Sequence, residues 1–337
     1  MLQRILVPLD GSELAEQAIP VAARLARAVA GEVVLAHVVF TPRAYQYGDF
    51  TELDVKEARE YLETLRSREE LSGVCTSVAV AVSIIHPAGG LLSLIEAQQI
   101  DLVVMCSHGY TGFKLWALGS VAEKVARHAP VPVLLLRQGG SVPVGTHVEL
   151  EGPVRALVPL DGSVLAKAAL VPAAQVVSAL AAPGKGALHL TRVVVCPHVE
   201  QLDDREREAV MHRAKRYLGQ TIQHIREGLV APAITSLHLT LTWSVALDND
   251  VASGILRVAE SGEDAEGAST SARCDLIVMA THGYTGWQHL AVGSVTERVL
   301  HASRLPLLIV PAHKMAAAGN QAEPVPASQK AGRSTSH

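Results

Sequence analysis

The sequence predicts an α/β chain of two tandem open parallel-sheet units, each with five main strands and helices on both faces. Three observations predict it. The chain repeats itself: RILVPLDGSELA at 4–15 returns as RALVPLDGSVLA at 155–166, and DLVVMCSHGYTGFKLWALGSVAEKV at 101–125 returns as DLIVMATHGYTGWQHLAVGSVTERV at 275–299. Within each copy, short runs of Val, Ile and Leu alternate with helical patterns, the signature of right-handed βαβ crossovers and of a parallel sheet covered on both faces. Finally, 337 residues are too many for most single compact domains.

The elements follow in order. ILVPL is the first strand. After it Ala15, Ala18, Ile19, Ala22, Leu25 and Ala26 form one helical stripe, which Pro20 should bend or clip in its first turns. EVVLAHVV is a second strand, and 52–71, with Ala58, Tyr61, Leu62 and Leu65, is a charged amphipathic helix. SVAVAVSII, DLVVMC and VPVLLLR are the remaining strands, separated by the helices LLSLIEA and SVAEKVARHA. The second copy repeats the order through LHLTRVVV, a helix at 204–228, SLHLTLTWSV, ILRVAE, DLIVMA, SVTERVLHA and LPLLIV.

The first motif pair is offset by 151 residues and the second by 174, and the extra 23 sit mainly in the polar insertion SGEDAEGASTSAR, 261–273. The duplication therefore spans residues 1–138 and 153–312, joined by a linker at 139–152 and followed by a tail at 313–337 that has no apolar periodicity and reads as disordered. VPVLLLR and LPLLIV are unusually apolar for sheet edges.

Composition excludes some functions. With 49% hydrophobic residues, 18% charged and a net charge of −4, nothing favours nucleic acid or an anionic membrane as partner. No apolar run is expected to reach the roughly 18 residues of a membrane span. The chain opens on a strand-like run, and Cys75, Cys106, Cys196 and Cys274 lack CxxC or zinc spacing, so reduced thiols in a cytoplasm are expected. There is no HxxxH, HExxH, GxSxG, P-loop or GxGxxG motif. His108 and His282 precede the glycine turn, where a histidine that holds the loop is the ordinary reading and a catalytic one the alternative. Four of the twelve aromatic residues, Phe40, Tyr45, Tyr47 and Phe50, cluster after the second strand of copy one.

Two glycine-bearing loops close carboxyl ends of strands, PLDGS and SHGYTG, and ligands of open parallel sheets bind there. If the first and fourth strands are neighbours, the loops face one crevice. The second loop runs from Gly109 and Gly112 to Gly119-Ser120 in copy one, and from Gly283 and Gly286 to Gly293-Ser294 in copy two. Glu123 and Glu297 follow each serine by three, a capping-box spacing that starts a helix. A glycine-led helix N-terminus offers free N–H groups to a phosphate, although Ser-x-x-Glu caps many helices that bind nothing.

A strand, then Gly-[ST]-His-Gly, nine residues and Gly-Ser, with an opening VPLDGS, resembles the universal stress protein (UspA) family in its ATP-binding branch. Gly109 and Gly119 are separated by nine residues, as are Gly283 and Gly293. The resemblance implies a Rossmann-like, adenine nucleotide alpha-hydrolase-like fold, a regulatory stress role, and ATP, ADP or AMP as ligand, with any Mg²⁺ arriving on the phosphates. It implies adenine contacts from Asp10 and Asp161 and from the backbone near Val38 and Val193. Gly109, Gly112, Gly119, Ser120 and Val121 would line ribose and phosphates, as would Gly283, Gly286, Gly293, Ser294 and Val295. It also implies pairing of the two last strands within the chain as a pseudo-dimer, with room for a further homodimer and an unidentified protein partner. The chain departs from the pattern at its first glycine, which is Cys106 in copy one and Ala280 in copy two; Lys114 stands where copy two has Gln288. An Asp in a β–α turn also has a plain role in accepting backbone N–H bonds. Two other functions stand against the leading one: a slow ATP-hydrolysing enzyme, for which no general base is visible, and a nucleotide-free interaction scaffold.

Overall fold

A computed structural model of the chain describes residues 2–41, 52–107, 118–137, 153–196, 203–262, 273–281 and 292–311. The first half runs β1 (Arg4–Pro8), α1 (Glu13–Glu16), α2 (Ala18–Val29), β2 (Glu32–Phe40), α3 (Glu52–Arg66), β3 (Cys75–Ser83), α4 (Pro87–Ala97), β4 (Leu102–Cys106), α5 (Ser120–His128) and β5 (Val133–Leu136). The second half repeats it: β6 (Val154–Pro159), α6 (Val164–Lys167), α7 (Leu170–Ala181), β7 (Gly186–Val195), α8 (Asp204–Arg226), β8 (Thr240–Asp248), α9 (Val251–Ser261), β9 (Leu276–Ala280), α10 (Ser294–Ala302) and β10 (Leu307–Val310).

All ten strands form one sheet in the order β3-β2-β1-β4-β5-β10-β9-β6-β7-β8. Pairing is parallel within each half and antiparallel only at the centre, where Leu135 faces Leu307, Leu134 faces Leu308 and Val133 faces Ile309. The apolar last strands are therefore central strands, buried on both faces. An antiparallel seam between two parallel half-sheets also sends the carboxyl ends of the halves to opposite edges of the sheet. Across the seam α2 packs on α7, and one core cluster runs from Leu25 through Leu134 to Leu180 and Leu308. On the other face Arg127, in the last turn of α5, reaches Glu297 in the first turn of α10 at 2.7 Å, and the Arg137 guanidinium donates to the Leu300 carbonyl.

Local chemistry explains the element ends. Pro20 and Pro172 lack the N–H that would continue a helix from the preceding turn. The expected single helix is accordingly two, with one-turn α1 and α6 capped by Ser12 and Ser163 ahead of α2 and α7. Val164–Ala181 proves apolar enough over 18 residues, at a mean hydropathy of 1.7, to pass for a membrane span by composition, against expectation. It is broken at Ala168–Ala169, and α7 packs its apolar residues on β6, β7 and α2. The expected strand SLHLTLTWSV starts only at Thr240: Pro232–Leu237 is a 3-10 turn and His238 has φ of +50°, so extended structure begins where pairing with Ala187 becomes available. The aspartates that open β4 and β9 serve the backbone: Asp101 accepts the Gln3 and Arg4 N–H groups at 2.8 and 3.0 Å, and Asp275 that of Arg155 at 2.7 Å.

The central seam is the place where truncation is most costly. Leu135 is 0% exposed, and Leu135→Ala should lower unfolding free energy by about 2–5 kcal/mol. A urea titration followed by circular dichroism reads this as a lower midpoint.

Candidate functional site

In both halves the first strand of the unit pairs with the fourth, Ile5 with Leu102 and Ala156 with Leu276. The two loops at their carboxyl ends consequently close on one crevice. A cavity of about 400 Å³ opens there in the first half and one of about 250 Å³ in the second.

The PLDGS turn forms one wall. Asp10 Oδ1 accepts the Ser12 N–H at 3.1 Å and its hydroxyl at 2.6 Å, and Asp161 Oδ1 accepts the Ser163 N–H at 2.9 Å. Gly11 and Gly162 sit between them at φ of +86° and +96°, a conformation that glycine adopts without the strain of a Cβ. The serine hydroxyls in turn accept the N–H of Ala15 and Ala166 at 3.1 and 3.0 Å, which starts α1 and α6. The turns are tied to the second strand by Leu9 N–H to the Ala36 carbonyl and Leu160 N–H to the Thr191 carbonyl, both at 2.8 Å.

The opposite wall is a helix N-terminus. Gly119 and Gly293 donate their N–H groups back to the Ser107 and Thr281 carbonyls at 2.8 and 2.6 Å, and their own carbonyls accept the first helical bonds, from Glu123 and Glu297, at 2.9 Å. The glycines are therefore the N-caps of α5 and α10, at extended φ and ψ, and Ser120 and Ser294 are the first helical residues. This corrects the capping-box expectation. The serine hydroxyls make no hydrogen bond among the described residues, and Glu123 serves Arg127 instead, at 3.0 Å. Shifting the cap by one residue leaves the N–H groups of residues 120–122 and 294–296 without helical acceptors. Those donors, not the glycine amides, are the open ones at the cavity wall.

Asp10, Val38, Gly119, Ser120 and Val121 all line the first cavity, and Asp161, Val193, Gly293, Ser294 and Val295 all line the second. Gly109, Gly112, Gly283 and Gly286 lie outside the described residues, as do His108, His282, Lys114, Gln288, Tyr45, Tyr47 and Phe50. Phe40 lines the first cavity at 43% exposure. Val38 and Val193 are held by close approach of a helix: a Cβ on Gly90 or Gly254 would lie 2.8 Å from the valine Cγ1. Cys106 and Ala280 end β4 and β9 at the cavity floors. Burial, and to a lesser degree the charge of Asp10, pushes the Cys106 thiol up to about 12, so it stays neutral and acts as a small apolar group.

Sequence reading missed two wall residues, His37 and Arg192. They occupy the same register on β2 and β7, directly before Val38 and Val193. A titratable or charged residue inside an otherwise apolar strand was the available signal. His37 sits edge-on to Tyr61, ring centroids 6.1 Å apart, and burial, the largest influence, lowers its pKa. Its Nδ1 is buried without a hydrogen-bond partner among the described residues.

A five-stranded parallel half-sheet with a turn-borne carboxylate facing a glycine-capped helix N-terminus, built twice, defines the class: a tandem α/β protein of Rossmann-like architecture. The chain belongs to the universal stress protein family, whose model matches residues 1–137 and again 154–311. A universal stress protein of Thermus aquaticus is 32% identical over 138 residues, 41% of this chain and 100% of that one. A universal stress protein of Archaeoglobus fulgidus aligns with 92% of this chain and 99% of its own, at a TM-score of 0.62 and 19% identity. A universal stress protein solved in complex with cAMP aligns with 40% of this chain and 97% of its own, at 24% identity and a TM-score of 0.34.

Two measurements check this geometry. Gly90→Ala should lower stability by about 1–3 kcal/mol through overpacking against Val38. Gly89→Ala, whose Cβ meets nothing within 4 Å, should raise stability by up to ~1 kcal/mol. Alkylation with iodoacetamide at pH 8 should label exposed Cys75 in the native chain, while buried Cys106 and Cys274, both pushed up to about 12, react only in denaturant.

Proposed function

We propose that the chain binds an adenine nucleotide, ATP or its di- or monophosphate, in each cavity, and acts as a cytoplasmic regulatory protein of the stress response. One observation carries this reading. In both halves a single cavity joins a carboxylate turn at one end to the unbonded first-turn amides of a helix at the other. The two ends lie on non-adjacent elements: the turns follow β1 and β6, while the helices follow β4 and β9. Asp10 and Asp161 supply acceptors for the amino group of a base. The amides of residues 120–122 and 294–296, with the positive end of the helix dipole, supply donors for phosphate oxygens. Between them Leu91 and Met105, or Ile255 and Met279, give apolar walls for the ring system.

The residues fit a nucleotide better than a protein-held metal. Among the described residues no three His, Cys, Asp or Glu side chains gather to hold a cation, so Mg²⁺ would enter on the phosphates. The β5–β10 seam spends the apolar edges within the chain, so a homodimer would have to use another surface.

Titration calorimetry with ATP tests the reading. Wild type should bind two equivalents. Ser120→Asp and Ser294→Asp place a carboxylate at the first position of α5 or α10, where an acid suits the helix but repels phosphate. Each should remove one equivalent, weakening that site at least about tenfold through like charges a few ångström apart. A wild-type chain that releases no binding heat with ATP, ADP or AMP overturns the proposal.

A further inference from the structure

The two cavities share their main-chain cradles but differ where the PLDGS turn meets the second strand. In the second half Arg192 lines the cavity beside Asp161. Its guanidinium lies 5.1 Å from the centre of the Tyr217 ring, with Lys167 over the same ring at 5.6 Å. The glycine of the turn leaves room for it, since a Cβ at Gly162 would meet Arg192 Nη1 at 3.2 Å. A cation–π contact holds the guanidinium near the ring without using its N–H donors, and among the described residues Arg192 makes no hydrogen bond or ion pair. An arginine so held offers N–H groups to whatever fills the cavity.

In the first half the carboxylate is kept, as Asp10, and both cations are replaced. The residue in register with Arg192 is His37, the one matching Lys167 is Glu16, and the Tyr61 hydroxyl donates to Glu16 at 2.9 Å. Burial lowers the His37 pKa and so keeps the ring neutral near pH 7, against smaller opposing influences from a hydrogen bond to the Leu9 backbone and from the charge of Asp10. This end of the first cavity presents the Asp10 carboxylate and a neutral imidazole, with no cationic fork, whereas the second presents an acceptor, Asp161, together with a donor fork.

A 6-aminopurine offers N–H groups at position 6, while a 6-oxopurine offers a carbonyl there, beside the N7 acceptor, and an N–H at N1. Guanidinium pairs with the O6 and N7 acceptors, and carboxylate pairs with N–H groups. We infer that Arg192 is a specificity determinant: the second cavity accepts 6-oxopurine nucleotides as well as adenine nucleotides, and the first accepts adenine nucleotides alone. The inference rests on the nucleotide reading above and assigns different ligand ranges to its two sites.

Inosine triphosphate differs from ATP only in the base and isolates the 6-position. Calorimetry on the full chain should give two equivalents of ATP and one of inosine triphosphate. Ser294→Asp should abolish the inosine site, and Ser120→Asp should leave it. Arg192→His, which installs the residue of the first half, should weaken inosine triphosphate at least tenfold while two equivalents of ATP still bind. Arg192→Lys, which keeps charge but not the planar fork, should fall between. ATP binding at both sites with no inosine triphosphate bound, or with two equivalents bound, overturns the inference and leaves the nucleotide reading standing. The same holds if Arg192→His shifts ATP and inosine triphosphate by the same factor. No heat with either nucleotide overturns both.

Discussion

The antiparallel pairing of β5 with β10 is the constraint on which the rest of this molecule depends. Each half alone would present a four-residue, fully apolar edge strand, VLLL or LLIV, with open backbone donors and acceptors. Such an edge is a template for association. Joining the edges turns both strands into the middle of a ten-stranded sheet and lets α2 and α7 bury one another. The tether between halves is thus a core, continuous with each half's own, rather than a polar inter-domain contact. Geometry follows from the hand of that pairing. Because the halves run in opposite directions, their crevices open at opposite edges of the sheet. The last turn of α5 comes to the first turn of α10, where Arg127 spans Glu123 and Glu297.

Most of this was legible in the sequence, for a physical reason. Strands buried on both faces must be nearly continuous apolar runs, so LVVM and LIVM announce themselves, and duplication lets each half verify the other. The PLDGS turn was legible because glycine takes without strain the positive φ, +86° at Gly11, that lets Asp10 accept from a serine two residues on. What escaped were features that local pattern underdetermines. Ser120 and Glu123 have the right spacing for a capping box, yet the Gly119 N–H is drawn back to the Ser107 carbonyl, a contact with the end of β4 that no local rule anticipates. SLHL alternates like a strand, but a strand exists only where a neighbour offers a ladder, and β7 offers none before Thr240. His37 and Arg192 stand out locally only as polar residues in apolar strands, and their importance comes from what the fold brings opposite: Tyr61 and Tyr217, twenty-odd residues further along the chain.

The duplicated sites also separate what a fold dictates from what it leaves free. The helix amides at residues 120–122 and 294–296 are fixed by the strand–turn–helix path and would be hard to remove without losing the element itself. The side chains at the ends of β2 and β7 carry no such burden, since register there is held by backbone pairing whatever the residue. Exchange of His37 for Arg192, and of Glu16 for Lys167, therefore alters the charge of a cavity while leaving its frame intact. The second half even absorbs a buried histidine, His189, between Thr242 Oγ1 and Ser244 Oγ at 2.8 Å each, where the first half has Val34.

These substitutions are coordinated. Arg192 without the Tyr217 face would be a long cation loose at a cavity mouth, subject to the entropy of its rotamers and screened by water. Placed over the ring and flanked by the open backbone of Gly162, it is held at the wall. In the first half the same ring position is used to opposite effect, with the Tyr61 hydroxyl spent on Glu16 and the acid paired to Arg68. A tyrosine shared by both halves thus stands beside a cationic wall in one and beside an imidazole and a paired acid in the other. Two tandem copies of one fold share their helix amides and turns and differ in the side chains that the second strand brings to the cavity wall.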